Sequence, residues 1–354
     1  MIDARGVNLN PPAFTDRMRR ENLPSQVLRP LDVIRLRFLK LITPWAIPVI
    51  RRRDLRVAMF GSAMVLVALS LTLVVPFWLL ALGPIIWGTP HVLSDIRYLV
   101  VRPGIHRRAR LWLPASALIV LAGCGFHSIQ SGLAAAAVVA VMADGPAVRK
   151  CLVVGVVAGL IWAATAAGDV SMIVFAHSHN FIAVLLWWFW RPRIRLLHAV
   201  VPVLFLLASM SLLLGWLVPL AHGFEWIPSG MDASYHLQAL APGIEATWGL
   251  RLVVLFAFAQ AVHYGVWLRL IPEDDRPQST PRTFAASARA VHADLGTVLL
   301  VVAGVLVLGI SIWAAFDLAN ARVGYLRAAL FHGYLELAAA AFLVVEGVRH
   351  HSSP

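Results

Sequence analysis

An all-α fold, a polytopic integral membrane helical bundle of about ten transmembrane helices, is predicted by three observations. The first is composition: of 354 residues 60% are hydrophobic and 14% charged, with a mean hydropathy of +0.77, too apolar for a globule with a polar skin. The second is the recurrence of apolar runs of bilayer-spanning length. The third is that basic residues collect in alternate connecting segments.

The elements follow in order. Residues 1–56 contain no short apolar region followed by a small-residue cleavage site, so no signal peptide is expected. They read as a cytoplasmic arm. Within it Leu31 to Ile42 mixes Val33, Ile34, Leu36, Phe38 and Leu39 with Arg35, Arg37 and Lys40, which suits an interfacial helix on anionic lipid. Spans are then predicted at 57–78, 80–101, 111–127, 131–148, 151–168, 170–190, 196–219, 247–271, 295–316 and 323–347. Gly, Pro and Ala blur the ends of the second to fifth. Residues 272–294 are polar and contain Pro, but no long linker or internal repeat divides the chain. One membrane domain over 57–347 and a short tail at 348–354 are expected.

The net charge of +12 raises the possibility of nucleic acid, but its distribution argues against that. Arginines cluster at Arg51 to Arg53, Arg107-Arg108, Arg149-Lys150, Arg191 to Arg195 and Arg276 to Arg289, whereas the loop 220–246 has no Lys or Arg and carries Glu225, Asp232 and Glu245. The positive-inside rule places both termini in the cytoplasm, and a bacterial inner membrane is the expected location. Cys124 and Cys151 have neither disulfide-framework nor metal-motif spacing. Phosphate-binding glycine loops, zinc-protease helices and nucleophile elbows are absent from the sequence.

The main functional signal is a set of ionisable residues at hydrocarbon depth. Each such group costs roughly 2.5–3.5 kcal/mol on insertion scales, so they persist where they bind something or move protons. His91 and Asp95 lie four residues apart on one helix face in Ile86-Trp87-Gly88-Thr89-Pro90-His91-Val92-Leu93-Ser94-Asp95. His332 and Glu336 repeat that spacing in the last span, and His263 lies in Ala261-Val262-His263-Tyr264-Gly265-Val266-Trp267. His177 and His179, in Phe175-Ala176-His177-Ser178-His179-Asn180, project about 200° apart, so one of the two is expected to face inward. Counting residues from the outer ends of the spans, His91, His179, His263 and His332 differ in depth by no more than about 9 Å, so four helices could present imidazoles to one centre. Structural pairing within the bundle is the competing explanation for each. His106, His198, His292, His350 and His351 fall in or near basic cytoplasmic segments and are expected to be solvated. His127 lies near the outer boundary. His222 and His236 belong to the outer loop, where exposure is the ordinary state. Trp87, Trp187, Trp188, Trp190, Tyr264, Trp267, Phe331 and Tyr334 offer walls for a long apolar ligand, although interfacial belts and lipid contacts explain many such aromatics.

The Gly88-Thr89-Pro90-His91 turn followed by Asp95 resembles the Gly-x-Pro-His-x-x-x-Asp signature of the Brp/Blh membrane carotenoid dioxygenases. That resemblance implies a polytopic, histidine-rich enzyme that cleaves β-carotene at its central double bond with non-haem iron and oxygen. It carries His91 as an iron ligand and Asp95 as its partner. The family pattern implies a second histidine four residues from the late-helix histidine, where this chain has Trp267. His332 or Glu336 would then complete the centre.

The reading that results is a membrane-embedded non-haem oxygenase acting on a hydrophobic isoprenoid such as a carotenoid. Fe(II) would be held by His91, one of His177 or His179, His263 and His332, with Asp95 and Glu336 orienting the ligands or joining them. Its partners would be molecular oxygen, a substrate entering from the bilayer, and membrane lipids. The alternatives are a zinc hydrolase of a lipid or amide, with Ser94 helping to stabilise charge, a bis-histidine haem electron carrier, and a proton-coupled transporter.

Overall fold

The computed structural model describes residues 23–41, 46–190, 196–221, 230–276 and 280–347. Residues 1–22, the basic segment Arg191 to Arg195, His222, Glu225, His350, His351 and the tail 348–354 lie outside them. Among the described residues all regular structure is helical. In chain order the helices are α1 (Leu23–Leu41), α2 (Ala46–Arg51), α3 (Arg53–Val74), α4 (Pro76–Asp95), α5 (Ala109–Gly123), α6 (Ser128–Met142), α7 (Ala147–Ala167), α8 (Val170–Phe189), α9 (Leu196–Leu213), α10 (Ala233–Leu240), α11 (Ala246–Gly265), α12 (Ile271–Asp274), α13 (Phe284–Phe316), α14 (Leu318–Ala329) and α15 (Phe331–Glu346).

Eight continuous helical stretches among the described residues are long and apolar enough to cross a membrane, and the chain is an integral membrane protein. Each falls on a predicted span. The other two predicted spans, 111–127 and 131–148, are shorter than expected: α5 and α6 have 15 residues each. At 1.5 Å per residue each is about 22 Å long, less than the roughly 30 Å hydrocarbon core. Small residues in α6 compensate by close packing. Gly132 sits under the ring of Tyr334, and a side chain there would collide with it.

Two apolar cores organise the bundle. The larger is built around α11 with residues of α3, α8 and α9, including Val65, Ala183, Trp187, Phe205, Phe258 and Val262. Helix α11 is apolar on all sides, as a helix surrounded by others must be, and is buried continuously from Val253 to Gln260. The second core joins α5, α6, α7 and α15 through Leu111, Ala136, Val157 and Phe342. Helix α13 is peripheral. Val298, Val301, Val305, Leu308 and Ile312 are exposed along it, the pattern of a lipid-facing surface.

The polar stretch ahead of the predicted ninth span is partly helical. α13 begins at Phe284 and breaks at Gly296, whose φ of 74° belongs to the left-handed region that glycine tolerates. The predicted start at 295 coincides with that break. The N-terminus of α13 is capped from two directions. Thr283 Oγ1 accepts from the Ala286 N–H at 3.1 Å, and the Asp32 carboxylate of α1 accepts from the N–H groups of Phe284 and Ala285 at 2.7 and 3.1 Å. Three N–H groups that a helix start leaves unpaired are thereby satisfied. This cap and the Arg35 Nη1 bond to the Arg282 carbonyl at 2.6 Å dock α1 on α13. Val27, Ile34 and Phe38 remain exposed on α1.

Two helices change pitch in the same way. Helix α4 runs into a π-helical segment at Ile96–Val101, and α11 into another at Val266–Leu270. In the second, the Ile271 N–H bonds the Val266 carbonyl, five residues back. The equivalent partner of the Trp267 carbonyl would be residue 272, a proline without an N–H. Ser94 Oγ donates to that carbonyl instead, at 2.7 Å. The hydroxyl therefore ties the last turn of α4 to the π segment that follows α11. A second proline is compensated likewise. Pro84 leaves the Leu80 carbonyl of α4 without its helical donor, and Arg322 Nε of α14 donates to it at 2.7 Å.

Candidate metal centre

Four helical stretches deliver six ionisable side chains to one buried point. Helix α4 supplies His91 and Asp95, α8 supplies His179, α11 supplies His263, and α15 supplies His332 and Glu336. His91, Asp95 and Glu336 have no exposed surface and His263 is 1% exposed, whereas His179 and His332 are partly buried at its edge. Donor atoms of His91, His263 and His332 lie within 4.8 Å of one another, as do those of His179, His263 and Glu336, and those of His91, Asp95 and Glu336.

Glycines create the close approaches that this convergence needs. Gly88, one turn before His91, lies against the ring of Tyr325 from α14, and any β-carbon there would overlap the phenol. Gly333, next to His332, faces His179 of α8; a β-carbon would stand 3.2 Å from His179 Nδ1. The break between α14 and α15 frees the Ala329 carbonyl, to which His332 Nδ1 makes a short hydrogen bond. Nδ1 must carry the proton in that bond, because a carbonyl only accepts. The His332 Nε2 lone pair is left pointing into the centre.

The donor atoms stand close together, three of the separations falling within the span expected of ligands around one ion. His91 Nε2 and His263 Nε2 are 2.7 Å apart, and His179 Nε2 and His332 Nε2 are 3.0 Å apart. His91 Nε2 is 3.2 Å from Asp95 Oδ2. Glu336 reaches three rings, at 3.3 Å from His179 Nδ1, 3.7 Å from His263 Nε2 and 3.9 Å from His91 Nε2. Metal–nitrogen bonds of about 2.0–2.1 Å put neighbouring ligands about 3.0–3.4 Å apart, for right and tetrahedral angles respectively.

Hydrogen bonding alone does not account for the cluster. Asp95 Oδ1 and Oδ2, Glu336 Oε1 and Oε2, and Nδ1 of His91, His179 and His263 are buried without a hydrogen-bond partner. The charged-type neighbours of the two carboxylates among the described residues are histidines. Two carboxylates in hydrocarbon need positive charge to offset their desolvation. A cation held between them and the imidazoles would supply it, so the residues fit a metal ion.

The predicted residues divide cleanly. His179 joins the centre and His177 does not: His177 Nε2 lies 3.1 Å from the Leu240 carbonyl, and its ring packs on Phe256 at 5.2 Å between centroids. Metal content is accordingly expected to survive His177→Ala and to fall in His179→Ala, as elemental analysis of the two purified variants would show. Of the predicted aromatic walls, Tyr264 lies against His91 with centroids 5.2 Å apart. Tyr334 stacks on Phe175, which in turn lies over His179. Trp187 and Trp190 hydrogen-bond Asp274 and Asp275 at 2.8 and 3.3 Å, and Trp87 is exposed on the bundle surface.

Two histidines expected in solvent are buried. His198 is 6% exposed, with Nε2 3.7 Å from Asp54 Oδ1, because its helix packs on α3. His236 of α10 is fully covered, stacked on Phe77 with centroids 5.1 Å apart and beside Arg322. Burial, then the Arg322 charge, pull its pKa from 6.5 to about 4. The folded state therefore keeps this ring neutral while the unfolded state protonates it below 6.5. Its contribution to stability is intact above pH 6.5 and is lost as pH falls towards 4, by at most about 3 kcal/mol. His236→Phe should flatten the fall in thermal midpoint between pH 7 and pH 4; an unaltered slope would refute this account.

Arg322, one residue ahead of the predicted last span, carries no hydropathy signal of its own, yet it is 3% exposed and bonded to the Leu80 carbonyl. Comparison with protein-family models, with curated proteins and with solved structures gave no match.

Proposed function

We propose that this chain is a membrane-embedded, metal-dependent oxygenase that cleaves a hydrophobic isoprenoid such as a carotenoid. The observation that carries the metal is the meeting of His91, His179, His263 and His332 with Glu336 at one point within the bundle. These five would hold Fe(II), and Asp95 would orient His91 or complete the set. The choice of an oxygenase and of a carotenoid rests on the Gly88-Thr89-Pro90-His91 and Asp95 resemblance. When bound, ferrous iron would supply activation of dioxygen towards an electron-rich alkene.

The protein's own contributions are positional. His332 is held in one tautomer by the Ala329 carbonyl, Glu336 is aimed at three rings, and Tyr264 packs edge-on against His91. Burial in the bundle limits water and leaves the bilayer as the route for an apolar substrate. Four imidazoles and two carboxylates exceed the four ligands of a closed zinc site, and suit a metal of higher coordination number. A haem clamped by two histidines needs its axial nitrogens about 4 Å apart, twice a metal–nitrogen bond of about 2 Å; the closest pairs here are 2.7 and 3.0 Å. Both termini would be cytoplasmic and the membrane a bacterial inner membrane.

Elemental analysis of gently purified protein with an optical spectrum, followed by incubation with β-carotene under oxygen, tests this reading. Iron without a haem band, and oxygen-dependent loss of the polyene absorption, are expected. Stoichiometric zinc with oxygen-independent amide or ester cleavage would overturn it.

A further inference from the structure

On the side of the two π segments that carries the arginines lies a second site, separate from the histidines. A half-open cleft of about 370 Å³ lies between the end of α4, the π segment after α11, and the first half of α13. One part of its wall is apolar, formed by Pro90, Leu93, Leu268 and Leu295. The other part carries Arg97, Arg269, Arg276 and Arg282 against a single carboxylate, Glu273.

The charges in this wall do not cancel. Glu273 is shared by three guanidinium groups: Arg56 at 2.5 Å, Arg269 at 3.2 Å, and Arg276 in still closer contact. One carboxylate does not neutralise three cations, although Arg269 is 44% exposed to solvent; Arg282 adds another cation, and Arg97 is offset by Asp294, which it shares with Arg102. Arg97 is the most telling member. It is 7% exposed, its Nε donates to Asp294 at 2.7 Å, and its Nη2 is buried without a hydrogen-bond partner. A buried guanidinium N–H left unsatisfied costs more than an ordinary lost hydrogen bond. In the structure as it stands Nη2 is covered, so Arg97 would have to turn its guanidinium towards the cleft to present that N–H to an anion.

We propose that this cleft binds a phosphate group, borne on an apolar chain that lies along the Leu93 and Leu268 wall. Guanidinium forks match phosphate oxygens in geometry and charge, and the apolar half of the wall has no use for a small hydrated anion. The proposal is independent of the metal: Arg97 and Arg269 belong to the π segments beyond the histidine-bearing turns, and binding can be read without turnover.

The test uses the detergent-purified full chain and its thermal unfolding midpoint, which a ligand of the folded state raises. Dioctanoyl phosphatidic acid, dioctanoylglycerol and inorganic phosphate are titrated separately. A saturable rise with phosphatidic acid and none with dioctanoylglycerol is expected. Arg282→Gln, at a half-exposed position whose backbone carbonyl still receives Arg35, should weaken the apparent affinity about tenfold or more. Arg97→Gln should do the same, and Asp294→Asn, which releases Arg97, should not weaken binding. A rise with inorganic phosphate as well identifies the free anion as a ligand; none identifies the lipid headgroup, and either supports the site. Equal responses to phosphatidic acid and dioctanoylglycerol, or an unchanged affinity in Arg282→Gln, would overturn it.

Discussion

His91→Ala is expected to leave the purified protein with less than about a tenth of the wild-type metal content, because it lowers metal affinity by more than the roughly 100-fold upper end of typical outer-shell substitutions. The reason is connectivity. His91 Nε2 is within 3.2 Å of Asp95, 2.7 Å of His263 and 3.9 Å of Glu336, so it is the ring through which the α4, α11 and α15 donors meet. Its removal also leaves Asp95 buried without that partner. Metal quantification with a circular-dichroism spectrum of the same sample separates loss of the centre from loss of the fold. A folded variant with full metal loading would end the assignment of this cluster as a metal centre.

Glu336→Gln should be the next most damaging change, lowering metal affinity by about 10- to 100-fold while the helices remain intact. The substitution is nearly isosteric, so packing of α15 is preserved and the removed quantity is one negative charge. Glu336 contacts three of the four rings and Asp95 only His91. Asp95→Asn is therefore expected to cost less affinity than Glu336→Gln. Competition with a calibrated chelator measures both; equal affinities for wild type and Glu336→Gln would make Glu336 a packing residue.

Much of this architecture is legible in the chain because the bilayer permits few solutions. Apolar runs specify helices where no water can satisfy a backbone, and an imidazole or carboxylate inside such a run is conspicuous against its background. His91, Asp95, His263, His332 and Glu336 could all be singled out this way. The choice between His177 and His179 could not, because the two lie on nearly opposite faces of α8 and the rotation of α8 is set by its neighbours. Local pattern also overestimated the length of α5 and α6, whose predicted spans run on past the helix ends at Gly123 and Met142. His198 and His236 were assigned by their loops, although partners far away in sequence cover them. The pitch changes at 96–101 and 266–270 left no trace in hydropathy. A proline follows each of them, at 103 and at 272, and the meaning of the second depends on a serine 178 positions earlier, at 94.

The two π segments have a consequence for how histidines and arginines share the same helices. A wider turn advances the chain by one residue without advancing its phase, which swings everything beyond it by about 100° relative to an uninterrupted α-helix. On α4 that offset lies between Asp95 and Arg102, and on α11 between His263 and Arg269. Each helix is thus two screws of different phase joined end to end, one aimed at the imidazoles and one at the guanidiniums. Deleting a single residue within 96–101 would restore an ordinary screw, and it would have to misalign one of the two ends.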